Sequence, residues 1–102
     1  MPYAESLTAL ADPTRRRVFE ALRHGPLSVG ALAKGQPVSR PAVSQHLKIL
    51  VDAGLVTAKA QGNQRLYAVK PEALADLRVW LDSFWDEALK DYHAEITRKF
   101  GN

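Results

Sequence analysis

One segment in the middle of the chain allows few alternatives for its local structure. Val43, Leu47 and Leu50 recur at spacings of four and three, which places them on one face of an α-helix. Ser39 precedes them, and serine is a favoured residue for capping the start of a helix. We therefore predict an amphipathic helix over residues 39–53 whose apolar face packs against a core.

Start signals and apolar spacings predict four further helices. They are a short helix carrying Leu7 and Leu10, a second that Asp12 caps and Pro13 begins, a third that Ser28 caps, and a last helix of roughly 25 residues that opens at Pro71. Gly54 supplies the left-handed conformation that commonly ends a helix, here the one over residues 39–53.

Two short strands are predicted over residues 55–60 and 64–69. Gly62-Asn63 between them fits a two-residue type II′ turn, and a longer loop over residues 61–64 fits equally well. The predicted fold is mainly α with a small β-hairpin, with about five helices in a single domain over residues 1–102.

Charge is unevenly distributed along the chain. The net charge is +3 over all 102 residues, but residues 1–70 hold ten basic and four acidic side chains, a net charge of +6, whereas residues 71–102 have a net charge of −3. A basic portion joined to an acidic one suggests that the first part meets a polyanion. The alternative is ordinary surface charge that keeps the protein soluble.

Two short helices joined by a tight turn and followed by a hairpin form a helix-turn-helix with a wing, whose second helix enters the major groove of DNA. Arginine and glutamine have the geometry to read guanine and adenine edges, whereas lysine farther along suits phosphate. A solvated polar face is the alternative. The residues on the outward face of the 39–53 helix are Arg40, Pro41, Ser44, Gln45 and Lys48, with Ser39 at the helix start and His46 nearer the side.

The segments SVGALAKGQPVSRPAVSQHLKILVDAGLV and KAQGNQRLYAVKPEAL, preceded by ADPTRRRVFEAL, resemble the ArsR family of winged-helix repressors. The resemblance implies a homodimer joined through the first and last helices that represses its own operon from an inverted repeat on double-stranded DNA. It implies that the recognition-helix positions are Ser39, Arg40, Ser44, Gln45 and His46, and that Lys59 and Arg65 flank the wing. The alternative function is a winged-helix module that binds another protein without reading DNA.

The wing, residues 59–65, is expected to lie along phosphates or to place Arg65 in a narrow minor groove. A solvated hairpin is the alternative. Arg15, Arg16 and Arg17 are consecutive on a helix and point in different directions, so we expect at most two of them to face DNA and the rest to be solvated.

The last helix is too apolar for one small core to cover, which favours a second subunit as its partner. Trp80, Phe84, Trp85 and Tyr92 could instead line a pocket for a small-molecule effector; large aromatics at helical spacing are more often packing residues. The predicted dimer-interface residues are Leu7, Leu10, Leu81, Phe84, Trp85, Ala88 and Tyr92.

The sequence also argues against several classes of protein. It has no cysteine, so thiolate metal sites and thiol switches are excluded. Asp91 and His93 alone are too few for a metal site, so we expect no metal and no cofactor. His24, His46 and His93 fall on separate elements without an acid-base partner, which argues against an enzyme. With no membrane segment or signal peptide evident, we expect a cytoplasmic protein.

Overall fold

The computed structural model describes residues 3–100, and the first two and last two residues of the predicted domain lie outside this range. Five α-helices and one antiparallel hairpin follow one another along it, which confirms the predicted fold class. The elements are α1 (Ala4–Ala11), α2 (Pro13–Ala21), α3 (Val29–Lys34), α4 (Arg40–Asp52), β1 (Val56–Gln61), β2 (Gln64–Val69) and α5 (Pro71–Phe100), with a 3₁₀ turn (Leu22–His24) after α2.

Three helices begin at the polar residues that the sequence indicated. In each, a side-chain oxygen accepts a hydrogen bond from a backbone N–H three residues later, which satisfies a donor that the helix itself leaves free. The distances are 2.9 Å from Asp12 Oδ1 to the Arg15 amide, 3.2 Å from Ser28 Oγ to the Ala31 amide, and 3.3 Å from Ser39 Oγ to the Ala42 amide.

The end of α4 is a left-handed glycine cap. Gly54 has a φ of 80°, and its amide donates to the carbonyl of Val51 while the amide of Leu55 donates to that of Leu50. This pair of bonds is the Schellman pattern. Leu55 is fully buried as part of the cap, and its carbonyl accepts a bond from Lys70. The predicted first strand, residues 55–60, therefore began and ended one residue too early. Leu55 completes the helix cap, and Gln61 still pairs with Gln64 across the hairpin.

The hairpin turn contains two residues. Gln61 pairs with Gln64, so Gly62 and Asn63 alone connect the strands and the longer loop is ruled out. Gly62 has a φ of 63°, and none of the non-glycine residues in the described range has a positive φ. A positive φ at the first turn position alone fits type II′.

The hairpin is attached to the body by a contact that the sequence did not indicate. The Leu27 amide donates to the Tyr67 carbonyl at 3.0 Å, and the Tyr67 amide donates to the Leu27 carbonyl at 2.9 Å. Leu27 precedes Ser28, the N-cap residue of α3, so the bridge fixes β2 against the start of the helix-turn-helix. The position of the wing relative to α3 and α4 follows from it.

The core is built from α1 to α4 and the start of the hairpin, and α5 contributes no buried residue to it. Helix α5 has 30 residues, more than predicted, and would be about 45 Å long at 1.5 Å per residue. The molecule measures 67 × 25 × 23 Å, because α5 extends beyond the body. No helix within residues 3–100 is long and apolar enough to cross a membrane. The buried apolar residues are Ala9, Val18, Leu22, Leu32, Val43, Leu47, Leu50, Leu55 and Val56.

Candidate nucleic-acid interface

Helices α3 and α4 pack against each other through the apolar face that the sequence predicted. Val43, Leu47 and Leu50 of α4 are fully buried, and Leu32 of α3 lies in the same core. Five residues, 35–39, connect the two helices. Because the inward face of α4 is fixed by this packing, its opposite face is presented outward.

The outward face of α4 consists of the residues expected there. His46 differs from them, because it is half-buried and its Nδ1 atom is buried with no hydrogen-bond partner among residues 3–100. It therefore lies at the edge of the face and is turned partly into the body. The exposed members of the predicted set are Ser39, Arg40, Pro41, Ser44, Gln45 and Lys48, and Ile49 and Asp52 of α4 are exposed as well.

The two basic residues of the wing lie on opposite faces of the hairpin. Arg65 is paired across the strands with Ala60, whereas Lys59 is paired with Leu66. Residues directly opposite each other share a face, and successive residues alternate between faces. Arg65 lies next to residues of α3 and α4, so its face of the hairpin is turned toward them and the face of Lys59 is turned away.

A cleft of about 770 Å³ separates α3 and the start of α4 from the hairpin. Three cationic side chains, Lys34, Arg40 and Arg65, line it, and no acidic residue is among the described residues that do so. A surface with this charge attracts a polyanion. The full lining is Ser28, Val29, Gly30, Ala31, Lys34, Arg40, Ser44, Asn63, Gln64, Arg65 and Tyr67.

The cleft brings together Arg40, Ser44 and Arg65 from the predicted set, and it adds residues that sequence reasoning missed. Lys34 and Tyr67 belong to this group. No sequence signal marks either residue, because Lys34 ends α3 as an ordinary basic last-turn residue and Tyr67 is placed by its backbone bridge to Leu27.

Two of the three consecutive arginines of α2 donate hydrogen bonds to backbone carbonyls at the end of α1. Arg15 Nε donates to the carbonyl of Ala9 at 2.6 Å, and Arg16 donates to that of Leu10 at 3.3 Å. The last carbonyls of a helix have no amide of the same helix to bond them, and these two bonds satisfy such carbonyls at the C-terminus of α1. None of the three arginines lines the cleft, and Arg15 is half-buried rather than solvated.

Helix α5 presents most of the predicted dimer residues to solvent in the single chain. Phe84 is 58% exposed and Trp85 is 64% exposed. Leu10 differs, because it is half-buried and packs against the core of its own chain. The exposed members of the predicted set are Leu7, Leu81, Phe84, Trp85, Ala88 and Tyr92.

The aromatic residues of α5 do not enclose a cavity within one chain. Trp80 stacks on Tyr3 with ring centroids 5.3 Å apart, and Phe84 meets Trp80 edge-on at 5.1 Å. The depression beside Phe84 and Trp85 is open on the surface of the one helix that lines it. This arrangement favours packing against another surface over a closed pocket for an effector.

Comparison with known proteins assigns the family. A helix-turn-helix domain model matches residues 10–58. The HTH-type transcriptional regulator Rv2034 of Mycobacterium tuberculosis is 57% identical over 84 residues, which are 82% of this chain and 78% of that protein. An ArsR-like transcriptional regulator from Rhodococcus has a similar structure, with a TM-score of 0.80 and 28% identity over 94% of this chain and 91% of the other. The chain belongs to the ArsR family of transcriptional regulators.

Two further similar proteins bear on function. The transcriptional repressor SdpR of Bacillus subtilis is 30% identical over 83 residues, 81% of this chain and 92% of that protein. The homodimeric winged helix-turn-helix DNA-binding domain of Mb0332 from Mycobacterium bovis has a TM-score of 0.68 and 28% identity, covering 84% of this chain and 80% of the other.

This ArsR-family chain has no cysteine, so a thiolate metal site in α3 is excluded. Asp91 and His93 lie on α5, and within residues 3–100 no three His, Asp or Glu side chains come together in a way that could hold a metal ion.

Proposed function

We propose that the chain is a transcriptional repressor that binds an inverted-repeat DNA operator as a homodimer. The observation that carries the proposal is the acid-free cleft, where Arg40 and Ser44 of α4 and Arg65 of the wing line one surface. The repressor SdpR and the homodimeric DNA-binding domain of Mb0332 support the same function by similarity.

In this proposal α4 lies in the major groove. Arg40 and Gln45 read base edges, since arginine pairs with guanine and glutamine with adenine. Ser44 is short enough to let the helix approach the bases closely. Lys48, farther along the helix, binds a phosphate, because an ammonium group suits an oxyanion as a point charge. Ser39 and His46 flank these contacts.

The wing contacts the backbone or the adjacent minor groove. Arg65 carries this contact, because it faces the same cleft as Arg40 and a guanidinium suits a narrow groove. Lys59 lies on the other face of the hairpin and contributes a weaker phosphate contact from that side.

The homodimer forms through α1 and α5. The exposed apolar side chains of α5 support this proposal, because a stripe with Phe84 and Trp85 more than half exposed is costly to leave in water. The chain then divides into a basic DNA-binding part, residues 1–70, and a C-terminal dimerisation part, residues 71–102, that contains α5.

Selection of bound sequences from a random pool of double-stranded DNA tests the proposal. We expect an inverted repeat whose half-site centres are about 10 base pairs or a multiple of one helical turn apart, because two recognition helices on successive major grooves lie about 34 to 36 Å apart. Recovery of unrelated sequences without a repeat would contradict the proposal.

A further inference from the structure

Gly30 lies inside α3, where no backbone constraint requires glycine. The glycines of the described residues with positive φ are Gly25, Gly54 and Gly62, and Gly30 is not among them. Glycine is less favourable than alanine within a helix because it loses more conformational freedom on folding. Any role of Gly30 therefore lies in the space that its missing side chain leaves beside α3.

The space beside Gly30 is occupied by the side chain of Arg40. A Cβ atom at residue 30 would lie 3.5 Å from Arg40 Nη2 and 3.6 Å from Arg40 Cζ, with Ser28 Oγ at 3.9 Å. These are ordinary van der Waals distances, so the guanidinium lies beside Gly30 with room for one methyl group between them. A methyl group fits there, but any longer side chain would take the place of the guanidinium.

We infer that Gly30 is a positioning residue that leaves the Arg40 guanidinium its place in the cleft for DNA binding, an inference that rests on the proposed function. Arg40 is an exposed arginine at the start of α4, and the space beside Gly30 lets its guanidinium lie in the cleft that Arg65 also lines. A side chain longer than that of alanine at residue 30 would occupy this space and move the guanidinium away.

Substitution of Gly30 tests the inference by equilibrium DNA binding and thermal unfolding. Gly30→Ala is expected to raise the melting temperature or leave it unchanged, with affinity within about twofold of the wild type. Gly30→Leu is expected to stay folded and to lower affinity about 5- to 150-fold, the range for loss of one arginine contact to a base. If the melt shows that Gly30→Leu does not fold, Gly30→Gln replaces it with the same expectation.

Gly35→Leu is the matched control. Gly35 follows the same helix, is exposed with a φ of −91°, and does not line the cleft. The control should bind DNA as the wild type does, and Gly30→Leu should cause no further loss when Arg40→Ala is already present.

Wild-type affinity for Gly30→Leu, or an equal loss in the Arg40→Ala background, would overturn the inference while leaving the proposed function intact. A large loss for Gly30→Ala would also overturn it, because that substitution leaves room for Arg40. If the wild type itself binds no DNA, the proposed function fails first.

Discussion

Arg65 and Lys59 point to opposite faces of the β-hairpin, because Arg65 is paired with Ala60 and Lys59 with Leu66. Only Arg65 lines the cleft that contains Arg40. Two basic residues that look equivalent in the sequence therefore differ in position, because Arg65 is on the side of the hairpin that faces α4 and Lys59 is on the other side.

Arg65→Ala is expected to weaken DNA binding more than Lys59→Ala does. Loss of Arg65 removes a guanidinium from the cleft and should cost about 1 to 3 kcal/mol of binding free energy, whereas loss of Lys59 should cost less than about 1 kcal/mol. Fluorescence anisotropy with the selected operator measures both. Equal losses of binding free energy for the two variants would mean that DNA does not bind along the cleft.

Arg40→Ala is expected to cost about 1 to 3 kcal/mol and to relax the preference at one base position in each half-site, because a base-reading contact is lost. Binding to operators substituted at each position measures this. Arg23→Ala is the control, since Arg23 is exposed, carries the same charge and lies outside the cleft. A uniform loss over all sequences would identify Arg40 as a phosphate contact.

Phe84→Asp is expected to convert the dimer to monomer, because it places a charge within the apolar stripe of α5. Sedimentation at micromolar concentration measures the association state. Ser83→Asp adds the same charge one residue away, where the exposed Ser83 side chain donates to the Trp80 carbonyl of its own helix, and should leave the dimer intact. A stable wild-type monomer, or dissociation by both variants, would contradict the proposed interface.

Asp12 is expected to make stability depend on acidic pH. The hydrogen bond from the Arg15 amide lowers the pKa of Asp12 below its ordinary value of 3.8 in the folded protein. Its contribution is therefore present above pH 3.8 and is lost as the pH falls through the lower folded value.

Asp12→Asn keeps a capping side chain but does not titrate. The melting temperature of the wild type should therefore fall more steeply between about pH 5 and about pH 3 than that of the variant. Parallel curves of melting temperature against pH for the wild type and the variant would show that titration of Asp12 does not affect stability.

Features that depend on neighbouring residues were predictable from the sequence. The Ser39 cap bonds an amide three residues away, and the spacing of Val43 and Leu47 determines which face of α4 is buried. The exposed face of α4 follows as the complement of the buried one.

Contacts between distant segments were not predictable. The bridge between Leu27 and Tyr67, which positions the hairpin, joins residues far apart along the chain. The position of the Arg40 guanidinium beside Gly30 depends on how α3 and α4 pack. Lys34 belongs to the candidate site because it lines the cleft between α3 and the hairpin, which forms only when these distant segments pack together.

The salt dependence of DNA affinity tests the central claim that this cleft and α4 bind DNA. A dimer making about 6 to 10 phosphate contacts should lose roughly 10³- to 10⁵-fold in affinity for the selected operator between 50 and 200 mM salt. Affinity that does not change with salt, or no detectable binding at 50 mM, would contradict the claim and favour a module that binds protein.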